Sequence, residues 1–444
     1  MSSNIYILKL KICGIKNIET PIELNFYKKT INKDFNPDKY KVKAIYGENG
    51  SGKTAIISAV KLLQNLLINK NYLADNDNQN FLIEIVNKKT KKGFVQCEVY
   101  VDDGDEKIIF DYYIAFEVRA DNRFYIIEEK FRSKNGNYSK NKYSVIFETK
   151  NGSLTKFGHK KMYQFFKEKT QNLLDKQTFF TCIAAIKDIP NEFQNNPDFI
   201  MLFLIFLFSL SLQVSIDEED NHSDYGLRQS LQNIDEDNIE TIGLDIINQV
   251  NKKIFGTRGN EILIPKAMYE LYEEKISRMC LFIQIFKPEL CAIEIEKKDY
   301  DQYFRCSLKM VYEEYSLDQE FESRGIKKLM DLFYYLDAAS DGCIVFIDEL
   351  DSNINDVYLD KIIEFFVYYG KGQLCFTSHN LSPMSVLKSN KNAINFISSI
   401  NTVHTWTACG NLSPENAYKN GFIEDLPFNV DASDFLGILG GADE

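Results

Sequence analysis

The residues that could do chemistry begin with a glycine-rich octapeptide near the N-terminus, G-E-N-G-S-G-K-T. Its spacing matches G-x-x-x-x-G-K-[ST], a loop in which glycines let backbone N–H groups converge on phosphate oxygens where a Cβ would block the approach. The lysine is expected to reach the β- and γ-phosphates of ATP, and the threonine hydroxyl is expected to ligate Mg²⁺. An apolar strand over residues 42–46 precedes the loop, and a helix that is predicted to open at Thr54 adds the positive end of its dipole. The predicted nucleotide contacts are Gly47, Glu48, Asn49, Gly50, Ser51, Gly52, Lys53 and Thr54.

An acidic pair follows a second apolar run, Cys343–Ile347. A continuously apolar run is typical of a strand that is covered on both faces. Asp348, 295 residues after Lys53 (348 − 53), is predicted to hold Mg²⁺ through water, and Glu349 to polarise the attacking water. The loop and the acidic pair together predict ATP hydrolysis.

A histidine ends the next predicted strand, Leu374–Thr377. His379 lies 31 residues after Asp348 (379 − 348), where it is expected to hydrogen-bond the γ-phosphate and the attacking water. Its order and spacing favour a catalytic role, whereas His159, His222 and His404 lack such a context.

A further anion-binding element is predicted at the start of a helix over Ile326–Leu336. Ser323 and Gly325 precede the acidic strand, and a serine hydroxyl together with N–H groups at a helix N-terminus suits an anion. The glycine-rich loop, the Ser-x-Gly helix start, the Asp-Glu strand and the histidine, in this order, resemble the motif set of ABC-type ATPases. Arg324 and Ile326 depart from the usual Leu-Ser-Gly-Gly-Gln signature of that family.

The resemblance implies an arrangement of subunits. In ABC-type ATPases the signature loop caps the γ-phosphate bound to the opposite subunit, so Ser323 and Gly325 would contact the ATP of a second copy in a dimer with two sandwiched ATPs. Residues 350–353, L-D-S-N, resemble the loop that crosses this interface. The family's glutamine loop is not placed, since Gln177 and Gln194 are both in range.

The motif order also resembles the ATPases of bacterial anti-phage systems, among them the ATPase subunits of PARIS, AbiL and Septu and the ATPase part of OLD-family nucleases. The resemblance implies a sensor or regulator that controls a separate effector, a Toprim- or HNH-type nuclease or toxin, and it allows assembly of the dimers into larger rings. Only 65 residues follow His379 (444 − 379), which is too short for a nuclease domain.

Other functions fit the pattern less well. A DNA-repair or chromosome-maintenance ATPase of the SMC/RecF type is the main alternative, but the net charge of −12 and the lack of long heptad runs count against it. Residues 1–200 carry +8 (32 − 24) and residues 201–444 carry −20 (20 − 40), so nucleic-acid contact by the first half stays open. Length and signature disfavour a transporter ATPase, and Glu349 disfavours a sensor that binds nucleotide without hydrolysing it.

The bulk properties indicate a cytoplasmic location. Nine cysteines without a C-x-x-C spacing predict free thiols in a reducing compartment, and no secretory signal is seen at the N-terminus. The apolar run Phe199–Ile216 is predicted to be a buried core helix. It is not expected to span a membrane, because the motifs before and after it must share one site.

The predicted fold class is α/β, an ABC-type P-loop ATPase head with a β-rich lobe and an inserted helical region. Residues 1–150 are assigned to an N-terminal ATPase lobe, 151–300 to the helical insertion, and 301–444 to a C-terminal lobe with the signature, acidic strand, histidine and tail. Residues 81–150 are predicted to be β-rich and the acidic stretch 217–242 to be a mobile loop. Strands are also predicted over 291–298 and 304–312, and a helix over Val357–Tyr368.

Overall fold

A computed structural model of the protein describes residues 4–27, 31, 35–102, 104, 106–138, 140–216, 261–352, 354–407 and 412–425. The predicted acidic loop 217–242, His222, Asn353, Cys409 and the tail from residue 426 lie outside the described residues. The described α-helices are α1 (Lys53–Ile68), α2 (Asn76–Ile85), α3 (Lys160–Lys169), α4 (Phe179–Ala184), α5 (Asn191–Gln194), α6 (Pro197–Ser211), α7 (Tyr269–Phe286), α8 (Arg324–Ser340), α9 (Asp356–Tyr368), α10 (Pro383–Leu387) and α11 (Pro414–Lys419).

The strands form one parallel-rich sheet and two antiparallel sheets, so the predicted α/β class is confirmed at this level. The described strands are β1 (Asn4–Cys13), β2 (Ile22–Asn25), β3 (Val42–Gly47), β4 (Lys92–Asp102), β5 (Lys107–Val118), β6 (Phe124–Asn135), β7 (Ser144–Lys150), β8 (Ser153–Phe157), β9 (Leu212–Ser215), β10 (Ile262–Pro265), β11 (Leu290–Tyr300), β12 (Tyr303–Tyr312), β13 (Ser316–Asp318), β14 (Ile344–Ile347), β15 (Gln373–Thr377), β16 (Ile394–Ile397) and β17 (Val403–Thr405).

The central sheet has the order β17-β16-β3-β15-β14-β9. All its neighbours are parallel except β17, which runs antiparallel to β16. Side chains of β3 alternate between two hydrophobic cores, with Ile45 in one core and Ala44 and Tyr46 in the other. The sheet is therefore buried on both faces, which explains why the sequence of β14 is apolar without alternation.

The two faces of the central sheet are covered by different layers. On one face, α1 shares a core with a seven-stranded antiparallel sheet of order β2-β1-β4-β5-β6-β7-β8. On the other face, α7, α8, α9 and α10 share a core with the third sheet, in which β12 pairs with β10, β11 and β13. The predicted strands over 291–298 and 304–312 are confirmed as the hairpin β11–β12.

A buried amide joins the antiparallel sheet to the central sheet. Gln373 opens β15, and its Oε1 accepts a hydrogen bond from the Ile7 amide at 2.6 Å while its Nε2 donates to the Ile7 carbonyl at 2.9 Å. Ile7 lies beside the register shift between β1 and β4, and β1 pairs with β2 only from Lys9 onward. The glutamine satisfies both groups, so the two sheets are held together through hydrogen bonds as well as through the shared core.

The structure corrects the predicted strand at the start of residues 81–150. The segment F-L-I-E-I belongs to α2, because Asp75 accepts hydrogen bonds from the Asp77 and Asn78 amides and so caps a helix. Leu82 and Ile85 are buried at helical spacing. A short apolar run cannot be assigned to helix or strand from periodicity alone, and here the cap decides.

The predicted core helix over Phe199–Ile216 is confirmed only in part. Helix α6 ends at Ser211, and the next four residues form β9, which pairs in parallel with β14. One side of α6 is buried, whereas Ile200 and Phe203 on its other side are exposed. None of the helices in the described part of the chain is long and apolar enough to cross a membrane.

A buried carboxyl group attaches α4 to the antiparallel sheet. Glu129 of β6 accepts hydrogen bonds from the Tyr112 hydroxyl at 2.6 Å and from the Phe179 amide, also at 2.6 Å. Burial raises the pKa of Glu129 from 4.5 to about 7, although these donors favour the charged form. The protonated carboxyl therefore stabilises the fold fully below about pH 4.5, and this contribution is lost as the pH rises through 7.

This shift predicts a pH-dependent effect of Glu129→Gln, which keeps the shape of the side chain without its charge. The free energy of unfolding of the variant, relative to that of the wild type, should rise by about 3 kcal/mol between pH 4.5 and pH 8. Urea unfolding of both proteins over this range measures it. Glu128→Gln, at a partly exposed neighbour that pairs with Lys130, is the matched control for the loss of one carboxylate from the same strand. Parallel curves for the wild type and Glu129→Gln would contradict the assigned shift.

Candidate functional site

The glycine-rich loop joins β3 to α1, and its glycines are required by the geometry. A Cβ on Gly47 would lie 2.4 Å from the carbonyl oxygen of Ile397 on the neighbouring strand. Gly50 and Gly52 have φ values of +79° and +108°, a region in which other residues are strained. Gly52 caps α1, so the loop directs the free amides of the first helical turn toward the carboxyl end of the sheet.

Lys53 folds back over this loop. Its Nζ donates to the carbonyls of Gly47 at 2.7 Å and Glu48 at 2.9 Å. Burial lowers the pKa of Lys53, and the nearby carboxylates of Asp348 and Glu349 oppose that shift. The Ser51 hydroxyl is buried without a hydrogen-bond partner inside the same loop. A phosphate can accept hydrogen bonds from an ammonium group and from a hydroxyl without another partner at a helix N-terminus.

The acidic pair is fixed by a threonine on the next strand. Thr377 is fully buried, and its Oγ1 donates to Asp348 Oδ1 at 2.6 Å while accepting from the Glu349 amide at 2.7 Å. Asp348 is itself almost fully buried, and its amide donates to the carbonyl of Ser215 on β9 at 2.9 Å. The bonds to neighbouring strands on both sides hold the turn after β14 in one conformation.

Glu349 has an unusual backbone conformation. Its φ of +49° lies in the left-handed region, which a residue with a side chain rarely adopts unless the surroundings impose it. The hydrogen bond that the Glu349 amide donates to Thr377 Oγ1, together with the bond from Thr377 to Asp348, holds this conformation. The Glu349 carboxylate is therefore half-exposed, whereas the neighbouring Asp348 carboxylate is buried. The two acids lie in different environments and can have different chemical roles.

His379 lies at the end of β15, close to this exposed carboxylate. Its Nε2 is 3.9 Å from Glu349 Oε1. The His379 amide donates to Asp351 Oδ2 at 3.3 Å, and the Asn380 amide donates to the same oxygen at 3.1 Å. Asp351 thus orients the segment that carries the histidine.

These elements meet around one cavity of about 340 Å³. Its lining combines the glycine-rich loop with the predicted base and histidine and with a turn after β1. The lining residues are Lys16, Asn17, Glu48, Asn49, Gly50, Gly52, Lys53, Thr54, Ala55, Glu349 and His379. The cavity lies at the carboxyl ends of parallel strands, the usual position of a ligand in an open α/β sheet.

The residues near the cavity fit a magnesium ion that is bound together with phosphate. Thr54 lines the cavity, whereas Asp348 is buried after β14, outside the cavity lining but close enough for its charge to act on Lys53. The described residues contain no group of three or more His, Cys, Asp or Glu that could hold a metal by itself. Mg²⁺ commonly takes one or two protein ligands and completes its shell with phosphate oxygens and water, so this sparse donor set suits it.

Ser323 and Gly325 do not line this cavity. Ser323 is exposed and caps α8, because its Oγ accepts from the Ile326 amide at 3.3 Å. The buried carboxylate of Glu322 accepts from the Ser323 amide at 2.8 Å and from the Tyr312 hydroxyl. Gly325 has open space beside it. The predicted signature residues therefore lie at the surface, where they are free to contact another molecule.

Two residues at the site were not singled out from the sequence. Thr377 gave no signal beyond its place at a strand end. Asn17 donates from Nδ2 to the carbonyl of Gly50 and so braces the glycine-rich loop from the turn after β1. The polar pair Lys16-Asn17 directly after an apolar strand was the available signal. Comparison of the chain with protein-family models and with curated proteins found no match.

The bridge through Thr377 predicts a selective effect of Thr377→Val, which keeps the volume and removes both hydrogen bonds. We expect ATP turnover to fall at least about tenfold and the free energy of unfolding to fall by about 2 kcal/mol, while Thr377→Ser stays close to wild type. Turnover and urea unfolding measure the two effects. Thr170→Val is a matched control, since this buried hydroxyl donates to a helix carbonyl and should affect stability alone. Unchanged turnover in Thr377→Val would contradict the role given to the bridge.

Proposed function

We propose that this chain is an ABC-type ATPase that binds ATP with the Gly47–Thr54 loop and hydrolyses it with Glu349 as the catalytic base. The observation that carries the proposal is the single cavity, in which the glycine-rich loop, Glu349 and His379 face one another. Lys53 and Glu349 are 296 positions apart in the sequence (349 − 53), and the order of the parallel strands brings both to this cavity.

The chain's own groups suggest how a triphosphate would be held. The free amides of the loop and of the first turn of α1 point at the bound phosphates, and Lys53 exchanges its two loop carbonyls for phosphate oxygens. The Lys53 ammonium group would therefore have hydrogen-bond acceptors both with and without a bound triphosphate.

Glu349 suits the role of base because it is half-exposed and lies beside the phosphate loop. It would orient a water and accept its proton as the water attacks the γ-phosphorus. His379, with Nε2 3.9 Å from Glu349, would donate a hydrogen bond to a γ-phosphate oxygen. Mg²⁺, held by Thr54 and through water by Asp348, would supply charge neutralisation of the phosphates.

The surface position of Ser323 and Gly325 supports a dimer in which each subunit completes the other's site. Ser323 opens α8, so its hydroxyl and the free amides of that helix could cap the γ-phosphate bound to a second copy. The exposed Phe321 lies just before this helix and would be covered by such a contact.

The biological role rests on resemblance. The order of motifs resembles that of ATPases in bacterial anti-phage systems, so we propose a sensor or regulator whose ATP state controls a separate nuclease or toxin. Co-purification of the Glu349→Gln variant with the products of neighbouring genes, in ATP, tests this role. Capture of a nuclease-like protein supports it, and capture of DNA by a bare dimer would instead indicate a DNA-repair ATPase.

The first prediction for the chemistry concerns Glu349→Gln. The amide still accepts and donates hydrogen bonds but cannot take a proton, so ATP should bind normally while hydrolysis falls at least about a hundredfold. An ATP-dependent dimer should accumulate, which mass photometry detects. Lys53→Ala is the paired control and should lose ATP binding itself. Hydrolysis by Glu349→Gln at the wild-type rate would show that the assigned base is wrong.

The second prediction concerns Ser323→Arg. A large cation at this exposed cap should prevent the cross-subunit contact, so turnover should fall at least about tenfold while the monomer binds nucleotide with unchanged affinity. Ser413→Arg is the matched control, because Ser413 caps α11 in the same way through the Asn416 amide. Both variants lose about 1 kcal/mol of capping energy, but only Ser323→Arg should lose turnover. Equal turnover in the two variants would contradict the dimer.

A further inference from the structure

Helix α9 carries an exposed face without a partner in the described chain. Its buried side is formed by Leu359, Ile363 and Phe366, which belong to the second core. The opposite side, here called the α9 face, is formed by Val357, Lys361, Glu364, Phe365 and Tyr368. Its three apolar members are 69%, 45% and 67% exposed, respectively.

The charges on this face are few and balanced. Lys361 Nζ lies 2.6 Å from Glu364 Oε2. The other two carboxylates of the helix turn away from the face, since Asp356 accepts from the Asn380 side chain and Asp360 accepts from the Ser382 hydroxyl, each at 2.6 Å. The α9 face therefore has no net charge that would repel a second copy.

The order of residues along the α9 face is self-complementary. A two-fold axis between positions 362 and 363 places two copies of the helix antiparallel. It sets Val357 opposite Tyr368 of the second copy, and Lys361 opposite Glu364 of the second copy. Apolar side chains then meet at both ends of the contact, and two opposite-charge pairs meet in its middle, as an isologous interface requires.

We propose that the α9 face is a contact between two copies of this chain, related by that two-fold axis and independent of nucleotide. The apolar surface continues onto α7, where Phe286 packs on Tyr358 with ring centroids 4.7 Å apart and Leu281 and Ile285 are exposed. A pair of helices buries less than the roughly 1,200 Å² of a stable interface, so association through this face alone is reversible and concentration-dependent.

The contact has a consequence for assembly that rests on the proposed function. The ATP-dependent contact through Ser323 would use other residues, because Ser323 and Gly325 lie at the start of α8 and are not part of the α9 face. Two different two-fold contacts on one chain allow dimers to join into larger closed assemblies, and each contact raises the effective concentration for the other. The α9 face thus supplies the second interface of a ring or higher oligomer.

Charge reversal tests the contact without nucleotide, in the Lys53→Ala background, so the result does not depend on ATP hydrolysis. In sedimentation velocity at concentrations up to about 100 μM, the parent should form a reversible dimer. Lys361→Glu and Glu364→Lys, each alone, place like charges opposite each other twice and should raise the dissociation constant at least about tenfold. The double variant restores opposite charges and should return it to within about threefold of the parent.

The matched control is the exposed ion pair between Glu84 on α2 and Lys88, which follows that helix; Lys88 Nζ and Glu84 Oε2 are 2.9 Å apart. Reversing either of its charges should leave self-association unchanged. A monomer at all concentrations, equal effects of the two pairs, or a double variant that stays dissociated would each overturn the proposal. So would single variants that lose a different bound protein while self-association is unchanged.

Cross-linking gives a second readout that does not require a change in affinity. Val357→Cys and Tyr368→Cys lie opposite each other in the proposed pair, so oxidation of a mixture of the two variants should give a covalent dimer. Each variant alone should give much less, because identical positions lie about ten residues apart along the helix axis. Equal yields from the mixture and from the single variants would overturn the antiparallel register.

Discussion

The candidate site depends on the order of three parallel strands, β3, β15 and β14. Strand β15 lies between the strand of the glycine-rich loop and the strand of the acidic pair. This order places a hydroxyl of β15 where it can hydrogen-bond both the Asp348 carboxylate and the Glu349 amide. Thr377 fills that position, with contacts of 2.6 and 2.7 Å. A buried carboxylate without a hydrogen-bond donor would destabilise the folded protein. The Thr377 hydroxyl therefore both positions the acidic pair and reduces the free-energy cost of burying Asp348.

Much of this arrangement could be predicted from local sequence. The glycine-rich loop and the apolar strands at 343–347 and 374–377 have strong local signals, and parallel strands bring their carboxyl ends to one edge of the sheet. Two elements could not be predicted in the same way. Helix α2 depends on the cap by Asp75, and β9 depends on its pairing with β14, which is a tertiary contact. Thr377 and Asn17 contribute to the site through hydrogen bonds to residues that are distant in the sequence. A local sequence pattern does not predict such contacts.

The rest of the fold serves to keep this edge of the sheet in place. Gln373 ties the start of β15 to the bulged strand β1, and Asn17 ties the turn after β1 to the loop at Gly50. The antiparallel sheet is therefore hydrogen-bonded to the central sheet at the start of β15 and at the loop that follows β3. Glu129 extends these contacts to the helices before α6 through the Phe179 amide. The polar bonds fix the register of the layers, and the shared apolar core supplies most of the stabilisation.

Strand β9 is at the edge of the central sheet, and only its last carbonyl reaches the site, through the Asp348 amide. An edge strand is paired with only one other strand, and the side chains of Lys61 and Gln64 on α1 donate further hydrogen bonds to the carbonyls of Val214 and Leu212. The helices between residues 160 and 211 lead directly into it. A force or a ligand acting on those helices would therefore reach the backbone of Asp348 through the Ser215 carbonyl, and it would reach α1 through the bonds from Lys61 and Gln64. In mechanical terms, β9 is a shared lever that would transmit one displacement both to the turn after β14 and to the helix that follows the glycine-rich loop.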